Sequence, residues 1–125
     1  MSTFGRGIWV ADLPENYCYD SEELEVNTDQ TWSSDTTICS DIIVTDGAEL
    51  TITGNITVSP VAVVKVLYGT LKVQGKLTCG RLRVVYNRRP TKLEVSDWGE
   101  IVIANKYLEI QEGATLDIKS RGNIT

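Results

Sequence analysis

The 125-residue sequence contains no histidine, the side chain that most often serves as a general base or a metal ligand. Nucleophile pairs of the Ser–His and Cys–His kind are therefore excluded. The sequence also lacks a glycine-rich phosphate loop, a Walker motif and a GxGxxG dinucleotide fingerprint. These absences argue against an enzyme, and no catalytic residue, metal-binding residue or cofactor is predicted.

Long apolar runs are absent as well. No segment approaches the roughly eighteen consecutive apolar residues that a membrane span requires, so no membrane insertion is expected. The N-terminal stretch "MSTFGRGIWVADLPEN" lacks a basic region followed by an apolar core and does not resemble a signal peptide. A hydrophobic content of 42% is ordinary for a folded chain, and the length predicts one domain.

Cysteine is scarce, with Cys18, Cys39 and Cys79 showing no metal-ligand spacing. Cys79 ends the triplet "LTC", where neighbouring triplets have an aliphatic residue, so it is interpreted as a small buried hydrophobe. Cys18 and Cys39 could form a disulfide in an oxidising compartment, which the sequence leaves open. An odd count argues against a framework built on disulfides.

From residue 41 onward, the sequence repeats triplets that are mostly apolar, polar, apolar. The series runs "IIV", "LTI", "ITV", "VKV", "LKV", "LTC", "LRV", "LEV", "IVI", "LEI" and "LDI". Alternation of this kind predicts short strands with one buried face. Helices would need apolar residues at spacings of three and four, which these segments do not show. The predicted class is all-β.

The spacing of the triplets distinguishes among all-β folds. Each triplet has a counterpart three triplets later, so that Val44 is matched by Val66 and Leu50 by Leu71, at a nearly constant separation. A period in the low twenties with three short strands is typical of a solenoid. We predict a single-stranded right-handed parallel β-helix with about four three-strand coils over residues 41–125. The alternative is an immunoglobulin-like sandwich, whose strands are usually longer.

Glycines and aliphatic residues fit this arrangement. Four glycines stand just before a triplet, where tight corners need a positive φ or a missing Cβ: Gly47, Gly69, Gly99 and Gly113. Aliphatic residues of successive coils should pack in stacks. One predicted stack runs through Leu50, Leu71, Leu93 and Leu116, and another through Ile52, Val73, Val95 and Ile118.

The two ends of the predicted solenoid differ. Residues 1–40 break the triplet rhythm and contain several aromatic residues, so they are predicted to be an N-terminal cap. An open end exposes unpaired backbone and invites pairing with other strands. The sequence stops at Thr125 in the middle of a coil, which predicts that a longer chain continues there or that another subunit covers that end.

The phrases "TWSSDTTICSDIIVTDGAELTITGNITV", "LYGTLKVQGKLTC" and "DWGEIVI" resemble β-helix repeat segments of secreted and cell-surface proteins from Bacteroidetes-type bacteria. The likeness covers about residues 30–118 and implies the fold but no particular function, because such segments serve as stalks, adhesin modules and frames for unrelated domains. The coils are also similar to those of phage tailspikes and fibres. The family's enzymatic branch contains sugar-cleaving lyases and hydrolases, from which no catalytic residue can be carried over.

The sequence has a net charge of −5, but its acidic and basic residues are concentrated in different segments. Residues 1–60 contain eleven acidic residues and one basic residue, whereas residues 61–93 contain eight basic residues and no acidic residue. In a solenoid these middle coils would form a positive belt. The belt predicts either a surface for an anionic glycan, phosphate or acidic partner, or electrostatic contacts between coils or subunits. Nucleic acid is not an expected partner, because the chain is acidic and the belt lacks a repeated basic-aromatic pattern.

The candidate binding residues lie in this belt. The segment "VVYNRRPTK", residues 84–92, is the longest interruption between triplets and predicts a protruding loop, whose tyrosine could stack on a sugar and whose arginines could bind a carboxylate or phosphate. An ordinary solvated loop is the alternative. The candidate residues for an anionic ligand or partner are Lys72, Arg81, Arg83, Tyr86, Arg88, Arg89 and Lys92. Trp98 is interpreted as packing at a corner rather than as a sugar platform.

Two functional hypotheses follow. The first is a non-enzymatic structural or binding module of a bacterial surface or phage virion, an adhesin or fibre component that self-associates or continues into a longer chain. The second is a glycan-binding or glycan-cleaving β-helix protein of the polysaccharide-lyase type. The expected location is extracellular, on a cell surface or in a virion. The missing leader fits a virion protein that acts where it is made, or a secreted protein whose leader was removed.

Overall fold

The computed structural model describes residues 18–19, 22–119 and 121–125. All regular structure in this part of the chain is β-strand, as the triplets predict. The strands are β1 (Leu24–Val26), β2 (Gln30–Trp32), β3 (Thr36–Ile38), β4 (Ile42–Val44), β5 (Ala48–Ile52), β6 (Asn55–Val58), β7 (Val63–Val66), β8 (Gly69–Val73), β9 (Lys76–Val84), β10 (Thr91–Val95), β11 (Glu100–Ile110), β12 (Thr115–Ile118) and β13 (Asn123–Ile124). No helix among these residues is long and apolar enough to cross a membrane.

Every strand pairs in parallel with its counterpart one coil away, so the chain winds into a β-solenoid with three faces. The first face contains β1, β4, β7 and the second halves of β9 and β11. The second face contains β2, β5, β8, β10 and β12. The third face contains β3, β6, the first halves of β9 and β11, and β13. The prediction of an all-β parallel solenoid is confirmed.

The solenoid has about five coils rather than the four predicted. The additional coil consists of β1, β2 and β3, which pair with β4, β5 and β6. Leu24 and its partner Ile42 are closer in the sequence than equivalent residues of the later coils, so this coil departs from their period. The predicted boundary between residues 40 and 41 therefore falls between two coils. A capping role for residues 1–17 lies outside the described residues.

The core is the aliphatic interior of the stacked coils. The strand register places Leu50 beside Leu71 and Leu71 beside Leu93, as predicted, and all three are 0% exposed. Leu93 in turn pairs with Leu116, which is 43% exposed because no described strand covers its outer side. Burial of aliphatic side chains without polar atoms is the main stabilising contribution here, and it depends on a neighbouring coil on each side.

Gly69 shows why the corners need glycine. Its φ is 138°, in the region that side chains with a Cβ rarely adopt. A Cβ at this position would collide with the backbone carbonyl of Ala48 in the preceding coil. The corner therefore closes only because the side chain is absent, and Gly69 can begin β8 directly against β5.

The three cysteines have two different environments. Cys79 lies in the core and is 1% exposed, as predicted, and its burial raises the pKa of the thiol to about 12. Cys18 and Cys39 form the disulfide that the sequence leaves open, with their Cα atoms 5.1 Å apart. Since Cys39 directly follows β3, the bond ties the chain ahead of the first coil to the end of that coil.

Candidate binding groove

The corner between β9 and β10 is the longest in the described part of the chain. Six residues, 85–90, connect these strands, whereas Leu67 and Tyr68 suffice between β7 and β8. The structure thus has the protruding loop that the sequence predicts. Together with the corners of the neighbouring coils, this loop lines a groove of about 620 Å³ along the edge between the first and second faces.

Two tyrosine rings form the aromatic part of the groove. Tyr68 lies over Gly47 of the preceding coil, with its Cζ 3.4 Å from the point that a Cβ on this glycine would occupy. Tyr86 lies over Gly113 of the following coil, with its Cδ2 2.6 Å from the corresponding point. The N–H of Tyr86 donates a hydrogen bond of 3.1 Å to Oε1 of Gln111, which fixes the start of the loop. Tyr86 remains 43% exposed, so its ring is available to a ligand.

Among the described residues that line the groove, three are cations and none is a carboxylate. The guanidinium of Arg89 lies over the ring of Tyr68, with Cζ 5.2 Å from the ring centroid. Lys92 is paired with Glu94, whose Oε1 is 3.2 Å from Nζ. Arg88 is exposed, and no ion pair or side-chain hydrogen bond within the described residues engages it. Within the described residues, the groove therefore presents two guanidiniums without an ion pair, those of Arg88 and Arg89, together with two aromatic rings.

Three threonines complete the lining: Thr70, Thr91 and Thr115. Thr91 is 3% exposed, and its Oγ1 has no hydrogen-bond partner among the described residues. The loop is joined to the corner of the preceding coil by the N–H of Gly69, which donates a 3.0 Å hydrogen bond to the carbonyl of Pro90. Since buried polar atoms are normally paired, the buried Thr91 hydroxyl is an unusual feature at the base of this loop.

The structure separates the seven candidate residues predicted from the sequence. Four of them meet in the groove: Tyr86, Arg88, Arg89 and Lys92. Arg81 and Arg83 lie instead on the outer surface of the first face, in the second half of β9. Arg83 is compensated there, because its Nε donates a 2.8 Å hydrogen bond to Oε1 of Glu109. Hydrogen bonds from Gln111 and Arg83 hold the pKa of Glu109 below its ordinary value.

Lys72, the last candidate, belongs to an ion-pair cluster around Glu94 on the second face. Glu94 contacts lysines of three successive coils, with oxygen–Nζ distances of 3.9 Å to Lys72, 3.2 Å to Lys92 and 3.8 Å to Lys119. Burial alone would raise the pKa of Glu94, but the hydrogen bond from Lys92 and the charges of Lys119 and Lys92 outweigh it and lower that pKa. The hydrogen bond from Lys92 to Glu94 is the main cause that raises the pKa of Lys92. Part of the positive belt therefore joins coils to one another.

Two residues differ from the sequence-based interpretation. Trp98 does not pack into a corner, because it is 72% exposed, and Arg121 lies over its ring with Cζ 5.0 Å from the centroid. Tyr68 lies in the groove although it is not among the predicted candidates. The sequence contains a signal for it, because Tyr68 precedes Pro90 by one period of the solenoid. A corner that precedes the loop 85–90 by one period must lie beside this loop in the neighbouring coil.

The described residues contain no group of three or more His, Cys, Asp or Glu side chains that could hold a metal ion. A second hollow of about 530 Å³ has the opposite charge to the groove, because three glutamates line it together with Ile43, Thr45 and Leu67. These glutamates are Glu22, Glu23 and Glu25. The groove is therefore the one of these two hollows that suits an anionic ligand.

The parallel strands, their register and the stacked aliphatic core define the chain as a β-solenoid protein. No protein-family model, curated protein or solved structure matches the chain. The function must therefore be inferred from the groove and the surfaces of the solenoid.

Proposed function

We propose that this chain is a non-enzymatic β-solenoid binding module that holds an acidic polysaccharide in the groove. The observation that supports this most directly is that Arg88, which has no ion pair among the described residues, shares the groove with the exposed ring of Tyr86, in a described lining that contains no carboxylate. A sugar ring packs on an aromatic face, and a guanidinium binds a carboxylate through two parallel hydrogen bonds. A uronic acid residue presents both groups at once.

A binding role fits the groove better than a cleaving role. Glycoside hydrolysis generally requires two carboxyl groups on either side of the scissile bond. The described lining supplies cations, tyrosines, glycines and threonines, but no Asp or Glu. Cleavage by a lyase remains the alternative function, and it is tested by incubating the protein with polygalacturonate with and without calcium. Sustained formation of unsaturated or reducing ends would overturn the non-enzymatic proposal.

The proposed setting is outside the cytosol, on a cell surface or in an extracellular particle. Disulfides persist in oxidising environments and are rare in cytosolic proteins. The bond between Cys18 and Cys39 supports this placement. A rigid solenoid with a ligand groove on one edge suits an adhesin or a fibre component, because the coils hold the groove at a fixed height along the axis.

Binding is tested by titration calorimetry with polygalacturonate, heparin and neutral dextran. We expect polygalacturonate to bind with an affinity that falls with added salt, because exposed charges are screened. Dextran should not bind. Heparin contains uronate residues as well as sulfate groups, so a tighter interaction with heparin would show that sulfate adds to the affinity, whereas an absence of binding to polygalacturonate would contradict the choice of a uronate ligand.

The variant Arg88→Ala should lower the affinity for polygalacturonate by about tenfold or more, because a hydrogen-bonded charge pair is lost. Arg81→Ala is the matched control. Arg81 is also an exposed arginine without an ion pair among the described residues, but it lies on the first face and outside the groove. Equal losses in the two variants would mean that only net charge matters, and the groove proposal would be wrong.

A second proposed role is self-association through the last coil. Three of its apolar side chains are more than a third exposed: Leu108, Leu116 and Ile118. The edge strands of this coil present unpaired backbone groups to any neighbouring strand. We propose that a second copy of the chain covers this surface. Since the contact is apolar, the assembly should withstand high salt.

Light scattering on a sizing column, at low and at high salt, tests this role. We expect a mass above that of the monomer, reduced to the monomer by Leu116→Glu. Val61→Glu is the control, because Val61 is 51% exposed but lies away from the last coil. A monomeric wild-type chain at micromolar concentration would contradict self-association, and dissociation by salt would assign the contact to the positive belt instead.

A further inference from the structure

Trp98 has a backbone conformation that is unfavourable for a residue with a Cβ. Asp97 and Trp98 both have positive φ, at 54° and 68°, and the N–H of Gly99 closes the turn with a 2.8 Å hydrogen bond to the carbonyl of Ser96. Turns with positive φ at both central positions are dominated by Gly, Asn and Asp. The left-handed region is unfavourable for a residue with a Cβ, because the Cβ approaches the following carbonyl oxygen. Such backbone outliers are concentrated at functional sites.

The turn is also longer than the coil requires. Between the second and third faces, Gln74 and Gly75 are sufficient to connect β8 to β9, whereas four residues, 96–99, connect β10 to β11. The added residues place the Trp98 ring in solvent, where it is 72% exposed and the most exposed of the large apolar side chains in the described chain. Neither closure of the coil nor burial of apolar surface explains a tryptophan here.

The Trp98 ring is held in place by neighbouring coils. Nε2 of Gln74 donates a 2.9 Å hydrogen bond to Oδ2 of Asp97, which anchors the turn to the preceding coil. From the following coil, the guanidinium of Arg121 lies 5.0 Å from the ring centroid. A cation over one face of an indole stabilises its orientation. The result is an exposed, oriented aromatic ring with a cation beside it, the same combination that Tyr68 and Arg89 form in the groove.

The groove and Trp98 lie at opposite edges of the same sheet face. The loop 85–90 precedes β10 and the turn 96–99 follows it, so one strand of five residues connects the two. At about 3.3 Å per residue, β10 spans about 16 Å. This distance suits a short stretch of polysaccharide that lies along β10, with one end in the groove and the other against Trp98.

The surface between the two ends is compatible with an anionic chain. The outward side chains around β10 that form the Glu94 cluster are Lys72, Lys92, Lys119, Glu94 and Asp117. Three lysines against two carboxylates leave this cluster with a net positive charge. The path between the groove and Trp98 therefore attracts an acidic polymer rather than repelling it.

We propose that Trp98 is a second contact site for the same acidic polysaccharide, so that the ligand crosses the second face along β10 from the groove to Trp98. This inference rests on the proposed function of the groove. It makes the ligand an extended oligomer rather than a single acidic sugar. It also assigns both of the long corners that flank β10 to one binding surface.

The test compares digalacturonate, which fills the groove only, with a long oligogalacturonate that can reach Trp98. The wild-type chain should bind the long oligomer at least about tenfold more tightly. Trp98→Gly should remove this preference and leave the affinity for digalacturonate unchanged. Because glycine accepts the positive φ without strain, this variant should melt at the same or a higher temperature than the wild-type chain.

Two further variants separate the outcomes. Trp98→Phe retains an aromatic ring and should keep most of the preference for the long oligomer, while Arg88→Ala should weaken both ligands. If Trp98→Gly binds both ligands as the wild type does, Trp98 is not a contact and this inference is wrong, although the groove proposal stands. If the wild-type chain binds neither ligand, the groove proposal fails as well. A lower melting temperature for Trp98→Gly would assign Trp98 a structural role instead.

Discussion

The ring of Tyr86 lies directly over Gly113, one coil further along the solenoid, with its Cδ2 2.6 Å from where a Cβ on this glycine would stand. Gly113 has a φ of 102°, so a side chain at this position meets both backbone strain and the ring. The position of Tyr86 in the groove therefore depends on a glycine that is distant in the sequence and adjacent in the fold. The two residues form one unit of the groove.

We expect Gly113→Ala to destabilise the fold by about 1–2 kcal/mol and to lower the affinity for polygalacturonate by displacing Tyr86. Urea denaturation and calorimetry measure the two effects. Tyr86→Ala alone should lower the affinity by a similar factor. The double variant should bind no more weakly than either single variant, because both remove the same contact. Full affinity in a destabilised Gly113→Ala chain would contradict this coupling.

The stacked core predicts that the stability lost by truncating a leucine depends strongly on its position in the stack. Leu71 and Leu116 occupy equivalent positions of the second face, but Leu71 is 0% exposed and Leu116 is 43% exposed. Leu71→Ala should lower the free energy of unfolding by about 2–5 kcal/mol. At concentrations where the chain is monomeric, Leu116→Ala should lower it by less than about 1 kcal/mol. Equal costs in urea denaturation would mean that the coils do not stack as described.

The disulfide should contribute to the stability of the first coil. Cys18 and Cys39 are 21 residues apart, and a bond that closes a loop of this length stabilises the folded chain by about 3 kcal/mol through the unfolded state. The double variant Cys18→Ser and Cys39→Ser should therefore unfold at a lower urea concentration. Reduction of the wild-type chain with dithiothreitol should have the same effect and no effect on the double variant.

The buried thiol predicts a simple chemical result. Burial raises the pKa of Cys79 to about 12, so its reactive thiolate is scarce at neutral pH and reagents cannot reach it. An aromatic disulfide reagent should detect no free thiol in the folded, oxidised chain and one in denaturant. Reduction in denaturant, followed by removal of the reductant in acid, should raise this number to three, since the chain has three cysteines. A reactive thiol in the folded chain would place Cys79 elsewhere.

The Glu94 cluster predicts a pH dependence of stability. Burial acts to raise the pKa of Glu94, but Lys92, Lys119 and Lys72 outweigh it, so the pKa is lower in the folded chain than its ordinary value. A depressed pKa stabilises the fold above the ordinary value, and this contribution is lost as the pH falls below about 4. Glu94→Gln should therefore lower the melting temperature at neutral pH, and the difference from the wild type should disappear in acid.

Glu112→Gln is the control for this experiment. Glu112 is exposed, and no ion pair among the described residues involves it. Its substitution removes the same charge without removing a contact, so the melting temperature should change little at either pH. A Glu94→Gln chain that melts as the control does would show that the cluster contributes nothing measurable, because the cost of burying Glu94 then offsets its attraction to the lysines.

The fold could be predicted from the sequence because its main determinant is repeated. Leu50, Leu71 and Leu93 recur at nearly constant spacing, and each must pack on the next for its side chain to be buried. The first coil escaped prediction because "QTW" begins with a polar residue and because Leu24 precedes its partner Ile42 by less than the usual period. A period estimated from the later coils therefore does not extend backward to residue 24.

The proposed binding surface was less predictable because it depends on the lengths of corners. The unusual loop with Tyr86 and Arg88 was visible as an interruption between triplets, and the structure places both residues in the groove. Trp98 is exposed because its turn is two residues longer than the corner between β8 and β9. The ion pair of Lys72 with Glu94 depends on the register between β8 and β10. Which charged residues become neighbours is known only once this register is known.

The parallel register has a consequence for protein engineering. Thr51, Lys72, Glu94 and Asp117 occupy successive positions of one outward column on the second face. Neighbouring positions of such a column are about 4.8 Å apart. The outer surface is therefore a grid in which the residue number specifies both row and column. Substitutions at outward positions could place chemical groups at chosen spacings on this surface, and the aliphatic interior would remain unchanged.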